Sequence, residues 1–107
     1  RPPRPLGMPY QLKLLADIEK QLRRIPPPDR ERVVEAMRSL AIEPRQTGTT
    51  HLLENLYRVR VGNYRILYAV FDAEVVVLVC KIARRTERTY KDLGALLKRA
   101  RDMLGAA

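Results

Sequence analysis

Residues 56–68 read Leu-Tyr-Arg-Val-Arg-Val-Gly-Asn-Tyr-Arg-Ile-Leu-Tyr, an alternation of apolar and cationic side chains that halts at a Gly-Asn pair and then resumes. Period-two alternation marks a half-buried strand, and Gly-Asn between two such runs reads as a two-residue hairpin loop. Folding there pairs Val61 with Tyr64, Arg60 with Arg65, Val59 with Ile66 and Tyr57 with Tyr68. Tyr57, Val59 and Val61 then share the core face, while Arg58, Arg60 and Arg65 share the other. Like charges set opposite each other across a ladder destabilise it by roughly up to 1 kcal/mol. The arrangement makes sense where something anionic sits between the arginines.

Outward from the hairpin, residues 74–82 form a valine-rich run, apolar almost throughout, which suits a central strand covered on both faces. Upstream, residues 45–50 carry turn and loop types. Before them Val33, Val34, Met37, Leu40 and Ala41 make one helical stripe that ends near Pro44. Asp29 is the expected N-cap of that helix, and Pro26-Pro27-Pro28 must break the one before it, where Leu14, Ile18, Leu22 and Ile25 recur at helical spacing. Residues 10–15 alternate as a first strand. From about Glu87 the pattern is helical again, with Leu93, Leu96, Leu97, Ala100 and Met103 on one side. The reading is an α+β fold: an N-terminal strand and a helical hairpin packed on a mostly antiparallel four-stranded sheet, with a C-terminal helix. One sheet face meets the helices, and the other is expected to be free for a site.

A chain of 107 residues, 46% hydrophobic, supports one core and one domain, read as residues 8–107. Residues 1–7 are proline-rich, lack the apolar segment of a signal peptide, and read as a disordered extension or remnant ahead of a natural start at Met8. The formal charge of +9, from 21 Lys and Arg against 12 Asp and Glu, attracts polyanions. No segment approaches the roughly 18 consecutive apolar residues of a membrane span. Cys80 has no cysteine to pair with, which fits a reducing cytoplasm, and in an apolar run it reads as a small buried hydrophobe. One His and one Cys cannot supply a metal cluster, so neither metal nor cofactor is expected.

After the valine-rich strand come Lys81, Arg84, Arg85 and Arg88, and a chain folding back on the sheet brings Arg84 or Arg85 beside Arg65. Tyr90 follows, placed to stack on a base or to pack.

The run from Leu56 to Val70, the valine-rich strand and the Ala83-Arg84-Arg85…Tyr90 segment together resemble the RelE/ParE superfamily of bacterial toxins, and the RelE branch most closely. The resemblance covers nearly the whole chain from Met8. It implies a ribosome-dependent messenger RNA endonuclease, restrained by an acidic antitoxin, in which the 2′-hydroxyl attacks the adjacent phosphate in the ribosomal A site. On this sequence the catalytic roles fall to Arg60, Arg65, Arg85 and Tyr90, and RNA binding to Arg58, Arg84, Lys81 and Arg88. RelE toxins carry lysines on the second strand, one of them the expected general base, whereas positions 58 and 60 here are arginine. Arginine stays protonated and is a poor base. Tyr90, Lys81, His51 and Glu54 are the substitutes, His51 being read as an exposed loop residue.

The resemblance also implies that the antitoxin competes for a groove under the terminal helix, at Leu93, Leu96 and Leu97, although simple packing explains that stripe equally. Promoter DNA is expected as a partner only of the toxin–antitoxin complex. Two other readings share the fold or the charge: a ParE-like toxin that poisons DNA gyrase without cutting RNA, and a basic interaction module without catalysis.

Overall fold

The computed structural model describes residues 9–86 and 92–105. Strand β1 (Gln11–Leu14) leads into a short helix α1 (Ile18–Arg23) and a long helix α2 (Pro27–Ile42). Four strands follow, β2 (Thr49–Leu53), β3 (Leu56–Val61), β4 (Tyr64–Phe71) and β5 (Val76–Arg84), and the chain closes with helix α3 (Leu93–Gly105). The strands make one sheet in the order β1-β5-β4-β3-β2, antiparallel except where β1 runs parallel to β5.

The sheet has five strands, one more than the sequence suggested. The addition is β2, which the turn residues before Thr50 had disguised as loop. As an edge strand it is half-exposed without a clean alternation, so it carries no period-two signal. The hairpin itself holds the expected register, Arg60 opposite Arg65 and Val59 opposite Ile66. Gly62 takes φ +58° while Asn63 stays at negative φ, the pattern of a type II′ turn in which glycine carries the left-handed position.

Helix α2 begins at Pro27 with Pro26 as its cap, three residues before the expected Asp29 N-cap. Proline tolerates the first helical position because its missing N–H is one the helix cannot use, and Asp29 instead faces the dipole from within the first turn. The guanidinium of Arg30 takes up the carbonyls of Leu22, Arg23 and Ile25, closing the orphan acceptors at the end of α1.

Helices α1 and α2 cover one sheet face, where Tyr68 donates to the carbonyl oxygen of Pro44 at 2.7 Å. The core joins Ile18, Val33, Met37 and Leu40 to Ile66, Tyr68, Val70, Val77 and Val79. The second face is not left free. Helix α3 packs on it, burying Leu97 and Ala100, because its apolar stripe and the apolar floor of the sheet must exclude water together. Beyond the helices, Arg45 binds Asp72 through both terminal nitrogens (3.1 and 2.8 Å), Tyr10 donates to the same carboxylate at 2.6 Å, and Arg45 Nε donates to the Tyr57 hydroxyl at 3.0 Å. That network ties the β4–β5 turn to the β1 start and the α2–β2 loop, and hydrogen bonding to Asp72 pushes the Arg45 guanidinium further up. Among the described residues, no helix is long and apolar enough to cross a membrane.

Candidate functional site

Two adjacent rows of the sheet carry the cations on the α3 face. In one, Arg58 of β3 stands in register with Leu67 of β4 and Lys81 of β5, and in the next Arg60 stands opposite Arg65, with Ala83 beyond it. The rows are set by alternation in β3 and β4, but on β5 they depend on a bulge. Leu67 pairs with Lys81 while Tyr68 pairs with Val79, leaving Cys80 as the extra residue. Plain alternation from Val79 would have sent Lys81 to the α2 side. The bulge turns it instead to the arginine face, where Cys80 and Lys81 together line a cleft with Leu93, Leu96 and Arg99 of α3.

Arg60 is exposed, whereas Arg58, Arg65 and Lys81 are half-buried. Arg58 donates through Nη2 to Thr50 Oγ1 at 3.3 Å, and its Nε–H is buried with no acceptor among the described residues. Among those residues, no carboxylate pairs with Arg58 or Arg60. A buried guanidinium N–H without a partner costs free energy that an incoming oxyanion recovers. Chemically, the rows offer permanently charged forks for phosphoryl oxygens, with the compact ammonium-bearing side chain of Lys81 beside them.

Not every expected residue joins this group. Arg84 stands in register with Tyr64, on the opposite face from Arg65, and lines a cleft with Gln21, Arg24 and Ile25 of the α1 region. It is therefore not beside Arg65. Arg85 follows β5, its amide donating to the Asn63 carbonyl oxygen at 2.7 Å, which fixes it to the tip of the β3–β4 hairpin. Tyr90 and Arg88 lie outside the described residues.

Of the substitute bases, His51 is on β2 and not in a loop. It pairs with Tyr57, so it belongs to the face away from the arginines, with Nε2 2.6 Å from the Glu54 carbonyl oxygen and its ring 5.1 Å from that of Tyr57. Glu54 occupies the β2–β3 turn and accepts from Arg101 at 3.0 Å. Lys81 is the substitute that the sheet brings to the arginine rows. Leu97 is 1% exposed, and Leu93 and Leu96 pack half-buried against the core, so in the free chain the stripe is a packing surface.

Sequence reasoning missed Arg99, which lines the Lys81 cleft and stands 3.6 Å from Asp17. Its only signal was its place beside the α3 stripe. Burial pushes the Cys80 thiol up to about 12, away from nucleophilic use. Among the described residues, no group of three His, Cys, Asp or Glu could hold a metal ion.

No curated protein sequence matches the chain. In structure, it is similar to the toxin of an archaeal RelE–RelB complex from Pyrococcus horikoshii, at 29% identity and a TM-score of 0.68 over 77% of this chain and 100% of that one. The RelBE2 toxin–antitoxin complex of Mycobacterium tuberculosis aligns at 25% identity and a TM-score of 0.66, over 76% of this chain and 97% of that one. A doubly substituted E. coli RelE toxin in the free state shares the fold at 20% identity and a TM-score of 0.64, over 91% of this chain and 99% of that one. A family model described as the ParE toxin of the type II toxin–antitoxin system parDE matches residues 10–89, a span that takes in both sheet faces and every cation of the two rows. The chain thus belongs to the ParE toxin family of type II toxin–antitoxin systems, within the RelE/ParE superfamily.

Proposed function

We propose that the protein is a ribosome-dependent messenger RNA endonuclease that halts translation by cutting the message in the ribosomal A site. The observation that carries this reading is the Arg60–Arg65 pair, two guanidiniums facing each other across the ladder with Arg58 and Lys81 in the neighbouring row. Like charges opposite each other across a ladder repel, and a phosphate between them is attracted to both.

In the reaction the ribose 2′-oxygen bonds to the adjacent phosphorus as the bond to the 5′-oxygen breaks. A 2′,3′-cyclic phosphate and a 5′-hydroxyl end result, the departing 5′-oxygen taking a proton from water as the 2′-hydroxyl gives one up. Charge builds on the non-bridging oxygens, where Arg60 and Arg65 neutralise it through forked hydrogen bonds. Arg58 and Arg85 hold the flanking phosphates. Lys81 is the residue assigned to take the 2′-hydroxyl proton, since it is the substitute base that the sheet brings to the arginine rows. Tyr90 orients the base by stacking.

The partner is an acidic antitoxin, as the RelB complexes of the structural relatives suggest. Its acidic residues neutralise the cationic rows, and it reaches Leu97 only by displacing α3. One observation favours a second reading. The matching family model is that of ParE, so poisoning of DNA gyrase without RNA cleavage is the alternative.

Primer extension across a reporter message in a translating extract separates the two, with naked RNA as control and Arg65→Ala as the variant. Cuts confined to translated codons and lost in the variant are expected. Growth arrest without cuts would overturn the nuclease reading and direct attention to gyrase supercoiling assays.

A further inference from the structure

We propose that a second anion-binding track wraps over the end of the β4–β5 ladder, formed by Arg24, Arg84 and Arg85 around the ring of Tyr64. It takes the phosphates of single-stranded RNA beyond those held on the arginine face. The track rests on the RNA reading of that face.

Two clefts meet at the row of Tyr64 and Arg84, which lines both. One, of about 320 Å3, opens between α1 and the sheet and adds Gln21, Arg24, Ile25 and Ile82. The other, of about 490 Å3, adds Asn63, Arg85 and Thr86 at the hairpin tip. The row Tyr64–Arg84 is the next one along from Arg65–Ala83 and belongs to the opposite face. A strand leaving the Arg60–Arg65 pair over the sheet end therefore passes Arg85 and the hairpin tip and arrives at Arg84 and Arg24.

The chemistry of the lining points to a polyanion. Arg24, Arg84 and Arg85 are all exposed, and among the described residues no carboxylate pairs with any of them or lines either cleft. The cleft beneath α3, by contrast, is lined by Asp17 and Asp92. The negative pole of α1, which would otherwise draw in a cation from its last turn, is already occupied by Arg30 on the carbonyls of Leu22, Arg23 and Ile25. Arg24 is thereby left to the solvent side. Gln21 accepts from the amide of Ile82 at 2.9 Å through Oε1, so its amide nitrogen is the end left to donate into the cleft. The Tyr64 ring supplies the apolar surface on which a base stacks without regard to sequence.

Anisotropy of labelled oligouridylates of roughly 4 and roughly 16 nucleotides tests the track on the free protein. For Arg24→Gln/Arg84→Gln, the longer strand is expected to bind about tenfold more weakly at low salt, with the slope of log K against log salt reduced by about 1.4, about 0.7 per lost contact. The short strand should bind as before. Arg60→Gln should weaken both strands, and both substituted residues of the track are exposed, so an unchanged melting temperature certifies the fold.

If the double variant binds the longer strand like wild type, or weakens both strands alike, the track is overturned while the arginine face stands. Failure of wild type to bind either strand would overturn the track and leave the nuclease reading to primer extension in the translating extract. Binding that follows the expected pattern in a protein that cuts no message would keep the track and remove the nuclease.

Discussion

Replacing Arg60 by glutamine should make the free protein more stable, since it removes a like-charge repulsion across the ladder. Arg60 faces Arg65 across the ladder and shares its face with Arg58 two residues earlier, with no carboxylate paired to it among the described residues. At the general spacing of same-face neighbours in a sheet, about 7 Å, two unit charges repel by about 0.6 kcal/mol in water, so two such neighbours give about 1.2 kcal/mol before screening. At low salt, with a Debye length of about 20 Å, about 0.8 kcal/mol survives, and at 1 M salt, where the length is about 3 Å, about 0.1 kcal/mol. For a domain of this size the low-salt gain raises the melting temperature by about 3 to 6 °C. Urea and thermal unfolding of wild type and Arg60→Gln at both salt concentrations measure it. Unchanged or reduced stability at low salt would refute the reasoning, as would a gain that persists undiminished at 1 M. The same substitution should impair RNA cleavage, making the site a place where the protein gives up stability for function.

The remaining predictions concern the frame that holds the site. Asp72→Ala removes the shared acceptor of Arg45 and Tyr10 and leaves a half-buried guanidinium without its carboxylate, for an expected loss of about 2 to 3 kcal/mol in the urea unfolding free energy. Val75 is a β-branched residue at φ +57°, so Val75→Gly should stabilise by about 1 kcal/mol, read as a higher urea midpoint with unchanged slope. Burial raises the Cys80 thiol from 9.0 to about 12 and the Tyr68 hydroxyl from 10.0 to about 12. Both groups then hold their protons more tightly folded than unfolded, so their contribution is fully present below pH 9 and declines as pH rises towards 12. Cys80→Ala should remove the earlier part of that decline from a urea-midpoint profile against pH, leaving the part that begins near pH 10.

What the chain determined by itself was local. Alternation in β3 and β4 and the Gly62-Asn63 turn placed Arg58, Arg60 and Arg65 on one face, because a period of two and a turn that needs a left-handed residue leave one register. The stripes of α2 and α3 followed from helical spacing in the same way. Tertiary structure decided everything that depends on what a segment meets. The edge strand β2 is a strand because β3 offers it hydrogen bonds, not because its residues alternate. Helix α3 lies across the arginine face because that is where its apolar stripe finds an apolar floor. Lys81 reaches the cationic rows, and Arg84 leaves them, because one extra residue at Cys80 rephases β5 against β4. A bulge is set by the fit between two strands distant in sequence, and no property of either strand alone announces it.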